Sequence, residues 1–245
     1  MLAKKYRSLI HRGVIKTVKF LFALLRLEVH SRGFEAEMQR QIAAISPNLI
    51  REEIYRTAKG VLHIGAHLGQ EAERYHRAGA RVIWFEAIES VYQKLLGNIA
   101  NFVNQKAYLA LLGDQKKIVD FHISSNEVSS SIYLFSEGNG FNLEMTSIVE
   151  LEMNRLDSFI DQEQIRLYPH WVIDVQGAEL QVLQGAGDLL KLCQSIDIEI
   201  STFEVYEGAT KFSELDKFLR AEGFVSLWKP REQTHEDLLY FRVMN

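Results

Sequence analysis

The chain has 245 residues, of which 47% are hydrophobic and 24% charged, the make-up of a globular protein long enough for one α/β domain and an appendage. A net charge of −4 gives no nucleic-acid footprint, and a single cysteine, Cys193, excludes a disulfide framework or a thiolate metal cluster. No apolar run reaches the roughly 18 residues of a membrane span, and residues 20–25 are too short for a signal-peptide core, so a cytoplasmic location is expected.

Residues 1–58 read as a helical extension. Lys4, Lys5, Arg7, Arg12, Lys16, Lys19 and Arg26 precede the first acid, Glu28. Val14, Val18, Leu21, Phe22, Leu25 and Val29 follow the spacing of an amphipathic helix, and a second helix is predicted over 34–45, between Gly33 and Pro47. Such an arm either packs on its own domain, packs on a second copy to make a homodimer, or lies on an anionic membrane. In the last case residues 1–30 give peripheral contact with the inner membrane surface.

From residue 59 onward the pattern alternates strand and helix, which predicts a mainly parallel sheet covered by helices. Strands are expected at 61–64, 82–85, 107–112, 171–175, 195–200, 225–228 and 238–243. Helices are expected at 70–78, 90–98, 155–163, 178–192 and 213–222. Residues 117–124 alternate like an antiparallel strand, and 126–140 are rich in Ser, Gly and Asn, so a hairpin with a mobile loop is inserted after the third strand. The last two strands are joined by a short polar segment that suits an antiparallel hairpin.

Between the first two strands the chain turns through Gly65-Ala66-His67-Leu68-Gly69. Small residues at a strand end let the backbone approach a ligand, and Glu86, about 20 residues on at the tip of the next strand, is placed to accept hydrogen bonds from a ribose. The pocket therefore suits an adenosine-containing cofactor. Nicotinamide and flavin binders use GxGxxG to bring a helix end to a pyrophosphate. The spacing here is GxxxG, which favours a cofactor without phosphate, such as S-adenosylmethionine.

The segments VLHIGAHLGQE, WFEA, LDSFI (156–160), VIDVQGAELQVLQGA (172–186) and IEIS (198–201) occur in an order that resembles the FkbM family of S-adenosylmethionine-dependent methyltransferases. The resemblance covers roughly residues 59 to 228. It implies a Rossmann-like seven-stranded class I methyltransferase sheet over 59–245, mostly parallel with a C-terminal antiparallel hairpin. It also implies S-adenosylmethionine as cofactor and methyl transfer to a hydroxyl oxygen of a carbohydrate, glycoconjugate or related natural product. His63 stands where the family has an acid, and Glu71 is expected to supply that negative charge. With Gly65, Ala66, His67, Gly69, Glu86, Ala87 and Leu111, these two residues make up the expected cofactor site. Gln176 stands where an acid is common. It is expected, with Glu179 and with Ser130 from the serine run 128–132, on the acceptor side.

An alcohol is a weak acid, so a base beside it helps by roughly 10²–10⁴-fold. Ligands of open α/β sheets bind at the carboxyl ends of strands, which makes Asp174 the first candidate. Asp197 and Glu199 alternate on the fifth strand, and one of the two should face the cleft. His67 and His122 are alternative bases, and Glu179 either acts in the site or caps the helix it begins. No ligand spacing points to a metal. The competing reading is a methyltransferase fold that has lost catalysis and serves as a binding or scaffolding module, with a nicotinamide oxidoreductase behind it.

Overall fold

In the computed structural model, which describes residues 47–137, 143–226 and 228–243, the alternating pattern builds one seven-stranded sheet beside a smaller three-stranded one. The two helices expected within 14–45 lie outside the described residues. The described chain begins with α1 (Pro47–Ala58), β1 (Gly60–Ile64), α2 (Ala72–Arg77), β2 (Arg81–Glu86), α3 (Glu89–Ile99) and β3 (Gln105–Leu109). Then come β4 (Leu111–Leu112), β5 (Lys117–Ser124), β6 (Met145–Asn154), α4 (Gln162–Ile165), β7 (His170–Ile173) and α5 (Glu179–Gly185). It ends with β8 (Ser195–Ser201), α6 (Phe212–Ala221), β9 (Phe224–Ser226) and β10 (His235–Arg242).

The large sheet runs β3-β2-β1-β7-β8-β10-β9. All of its pairings are parallel except those of β10, which lies antiparallel to both β8 and β9. The expected terminal hairpin is therefore present, with its second strand slotted inside its first. Helices cover both faces, so β1 is buried along its whole length. Leu62, Ile64, Ile173, Ile196, Ile198 and Tyr240 pack in one layer, and Val61, Val82, Trp84, Tyr55 and Tyr75 in the other. Pro47 opens α1, where its missing N–H costs nothing, and Ile50, Ile54 and Tyr55 bury that helix against the domain. Thus the last turns of the expected extension belong to the sheet's cover.

Three expectations differ from the structure. The strand expected at 107–112 breaks at Ala110, whose N–H donates to Glu86 O at 2.8 Å, and Leu111–Leu112 leave to pair with β6. The helix expected at 155–163 is a 3₁₀ turn, Leu156–Ser158, followed by α4, which Asp161 caps by accepting from Gln164 N. The helix expected at 178–192 ends at Gly185 and continues as a 3₁₀ turn, because Gly187 at φ +52° cannot carry α-helical winding. β5 matches residues 117–124, and its antiparallel partner is β6, a strand not anticipated from the sequence. Among the described residues no helix is long and apolar enough to cross a membrane.

Candidate active site

The glycine turn is clamped between the ends of two neighbouring strands. The N–H groups of Gly65 and Ala66 both donate to Phe85 O, at 3.0 and 2.9 Å. Gly65 has φ +84°, and a Cβ there would lie 1.7 Å from the carbonyl oxygen of Asp174, so only glycine fits. Glu86 closes the turn from the side. Its Oε2 accepts from His67 N at 2.8 Å and its Oε1 from Ile88 N at 2.9 Å. Each oxygen keeps a second lone pair. Burial pushes the Glu86 carboxyl upward, and the backbone N–H groups of Ile88, His67 and Ala87 oppose that shift. Glu86, Ala87 and Leu111 line a cavity with Gly65, His67 and Asp174.

Beyond the turn, β7 delivers Asp174, whose N–H donates to Ile64 O at 3.0 Å. The next residue but one, Gln176, has φ +56° and turns its amide inward. Its Nε2 donates to Asp174 Oδ1 and to Glu199 Oε2, both at 2.6 Å, while its Oε1 accepts from the Tyr206 hydroxyl at 2.5 Å. The amide where an acid was the expected type thus bridges two carboxylates that would otherwise repel. On its other oxygen Glu199 meets His235 Nε2 at 2.8 Å, and His235 Nδ1 contacts Ser201 Oγ at 2.5 Å. Glu179 Oε1 accepts from Val175 N at 3.2 Å and Gly177 N at 3.0 Å, so this carboxylate stiffens the turn as well as facing the cleft.

Crowding of buried acids sets the protonation of the site. Burial, then the neighbouring Glu179 charge, pushes Glu199 up to about 8. Glu179 is pushed up to about 7 by burial, against its backbone donors. Asp174 is driven well above the usual carboxylate range by burial and by Glu199. Protons are therefore held among these acids near neutrality, and a cation beside them would release those protons.

Asp197 and Glu199 are two residues apart on one strand and share a face, which corrects the expectation that they alternate. Glu199 reaches the cleft, whereas Asp197 is held lower down by an Arg51 side chain from α1. His63 also departs from its expected place at the cofactor. Its ring stacks on Trp84 at 4.7 Å and meets the Tyr75 hydroxyl at 3.1 Å, inside the core. Burial holds it neutral, down to about 3. Glu71 precedes α2 with a half-buried carboxyl that burial pushes upward, and it lines neither the cavity at Glu86 nor the one beside Glu199.

Ala66 packs in the core below the turn, and Gly69 sits against Leu95. The His67 ring, within 2.8 Å of Gln70 Nε2, lines the Glu86 cavity. His122, the other histidine considered as a base, lies in β5, bridged to Ser131, and lines neither cavity. Ser130 lines the Glu86 cavity, while its hydroxyl donates to Glu127 O and accepts from Ser124 N, bracing the insertion. Tyr206, His235 and Ser131, whose hydroxyl donates to Gln176 O at 2.6 Å, escaped the sequence reading. Each comes from a loop or a late strand, and only the fold brings it to the turn. Among the described residues no group of three or more His, Cys, Asp or Glu is arranged to hold a metal ion.

A sheet of this order with one antiparallel strand, a glycine turn after β1 and an acid ending β2 define a class I methyltransferase. The family model described as the methyltransferase FkbM domain matches residues 63–226, and the chain belongs to that family. Its cofactor is S-adenosylmethionine. The residues present fit it: a turn that only glycine can make, a spare acceptor pair on Glu86 for a diol, and buried acids to face a cation. No protein of curated function matches the sequence significantly. Among solved structures the chain is similar to the magnesium protoporphyrin IX methyltransferase of Synechocystis with bound SAM, at 12% identity and a TM-score of 0.41, covering 90% of this chain and 96% of that one. It is also similar to a ribosomal protein L11 methylase from Lactobacillus delbrueckii, at 12% identity and a TM-score of 0.44, covering 79% of each chain. A third is an uncharacterized protein from Listeria monocytogenes, at 9% identity and a TM-score of 0.45, covering 78% of this chain and 66% of that one.

Proposed function

We propose that this methyltransferase acts on oxygen, methylating a hydroxyl of a carbohydrate, glycoconjugate or related natural product. The observation that carries the reading is the pair Asp174 and Glu199, joined through the Gln176 amide at the carboxyl ends of β7 and β8. When bound, the cofactor supplies a methyl on a positively charged sulfur, which becomes a neutral thioether as the acceptor oxygen takes the methyl and gives up its proton. Glu86 and the glycine turn hold the ribose end, and the turn's close approach to Asp174 brings the reacting end toward the acids. Burial and mutual repulsion keep protons on the pair near neutral pH, and one would be released beside the cofactor's positive sulfur, leaving a carboxylate to receive the acceptor's proton. Gln176, fixed by Tyr206, keeps both acids in register with the turn, the kind of alignment that in-line displacement depends on.

The test is turnover with a panel of hydroxylated acceptors, read by mass spectrometry as a gain of one methyl and by the site of methylation. Products methylated on oxygen, lost in Asp174→Asn with cofactor affinity retained, are the expected result. Methylation on nitrogen or carbon would overturn the oxygen assignment.

A further inference from the structure

We infer that the acceptor sits in the cavity beside Glu199, across the 174–177 turn from Glu86, and that this cavity takes a neutral hydroxylated ring, a sugar or cyclitol, and rejects anionic ones. The inference rests on the oxygen-methylation reading above.

Two cavities share the turn as a wall. Asp174 lines the one that holds Glu86 and the glycine turn. Glu199 and Gly177 line the other, which encloses about 360 Å³, inside the roughly 300–1,000 Å³ range of small-molecule sites. The Gln176 amide, bonded to Asp174 and Glu199 at once, spans the boundary between them. A group in the second cavity therefore meets a proton acceptor that is mechanically tied to the cofactor side.

The lining is selective in two ways. Phe203, Phe212 and Leu215 offer apolar faces, and hydroxyls from Ser201, Thr202 and Thr210 lie around them. Flat apolar walls with a hydroxyl rim match a ring whose C–H faces are apolar and whose edge is hydroxylated. Charge is uneven. Glu179, Glu199 and Glu204 all line this cavity, and Lys211 is the one lysine or arginine among its described lining residues. Crowding in this wall already drives protons onto Glu179 and Glu199, so a further negative charge beside them and Glu204 is disfavoured, which discriminates against a carboxylate or phosphate on the acceptor without any dedicated contact. The insertion closes this side: Phe135 stacks on Tyr206 at 5.3 Å, and Ser136 N donates to Val205 O at 3.0 Å.

Saturation-transfer NMR on the full chain loaded with S-adenosylhomocysteine tests this, since it reads binding without turnover. The probes are the methyl glycosides of glucose, galactose, mannose and fucose, myo-inositol, and methyl glucuronoside. At least one neutral probe should give saturation transfer, with the glucuronoside at least tenfold weaker. Thr210→Trp should abolish that signal while calorimetry shows unchanged S-adenosylhomocysteine affinity, and Ser213→Trp, at an exposed position on the cavity rim, provides a second filled variant. No neutral probe binding, equal binding of the glucuronoside, or a signal that survives both filled variants would overturn the inference. Failure on oxygen is separate, because it would appear as nitrogen or carbon products in the turnover assay.

Discussion

Glu86 Oε2 accepts a hydrogen bond from the His67 backbone at 2.8 Å, so the acid ending β2 holds the glycine turn that follows β1. Its other oxygen takes Ile88 N at the start of α3. Substituting alanine therefore leaves two donors without this acceptor, at about 1–3 kcal/mol for each one that stays buried and unpaired. Glu86→Ala should abolish S-adenosylhomocysteine binding by calorimetry and also lower the urea midpoint. Glu86→Gln should recover part of the stability and little of the binding, because its amide nitrogen faces a backbone donor. Wild-type affinity in either variant would remove Glu86 from the cofactor site.

The turn's geometry makes a second forecast. Gly65→Ala must place a methyl 1.7 Å from the Asp174 carbonyl oxygen at φ +84°. The left-handed conformation alone costs roughly 1–2 kcal/mol for a non-glycine residue, and the clash adds to it by pushing β1 and β7 apart. Thermal unfolding should show a lower Tm, and cofactor affinity should fall even where the protein remains folded. A variant with both properties intact would mean that the turn has room the close contact denies.

How much of this was legible depended on how local the cause was. β1 and β2 announce themselves as apolar runs because helices bury both faces, β8 shows isoleucine at every second position, and Glu86 was found from spacing alone. β6 carried a usable signal that went unread: Val149, Leu151 and Met153 alternate with Glu150 and Glu152, the pattern of a half-exposed strand. Tyr206 and His235 carried none. Tyr206 reaches Gln176 because the loop after β8 folds back, and His235 reaches Glu199 because β10 inserts between β8 and β9. Neither relation has a fixed sequence separation.

His63 shows the opposite case, in which a motif position was legible and its role was not. The residue occupies the end of β1, but its ring is part of an aromatic stack with Trp84 and Tyr75. His63→Asp, which restores the acid of the family pattern, should destabilise the fold by more than the roughly 0.5–1.5 kcal/mol of an aromatic pair, because a carboxyl is also buried there. Urea unfolding reads the first effect. Calorimetry should show a smaller change in S-adenosylhomocysteine affinity than in stability, and a large gain in affinity would mean that position 63 does face the cofactor.

Tyr206→Phe removes the hydroxyl that anchors the Gln176 carbonyl oxygen and contacts Ser129 O at 3.1 Å. Gln176 then loses its fixed orientation between the two acids, while the glycine turn and Glu86 are untouched. Turnover should drop by about 10- to 100-fold, the scale of small misalignments in a reacting pair, with S-adenosylhomocysteine affinity within twofold of wild type. Equal losses in both measurements would assign Tyr206 to the cofactor side.

The buried acids also predict the direction of pH dependence. Glu179 at about 7 and Glu199 at about 8 both lie above the unfolded value of 4.5, so the folded state holds more protons across that interval. Their stabilising contribution is complete below about pH 4.5 and is lost as pH rises through 7 and 8. His63 and His170, lowered by burial to about 3 and 4, act the other way, but only below their unfolded value of 6.5. Between pH 6.5 and 8.5 the carboxylates therefore dominate, and Tm should fall, less steeply in Glu199→Gln. A positively charged ligand lowers the same pKa values, so its binding should release protons and strengthen with pH in this window. S-adenosylmethionine carries the sulfonium charge that S-adenosylhomocysteine lacks, so the ratio of their affinities should rise from pH 6.5 to 8.5. Calorimetry in buffers of different ionisation enthalpy reads the released protons directly, and a ratio flat with pH would place the sulfonium away from Glu179 and Glu199.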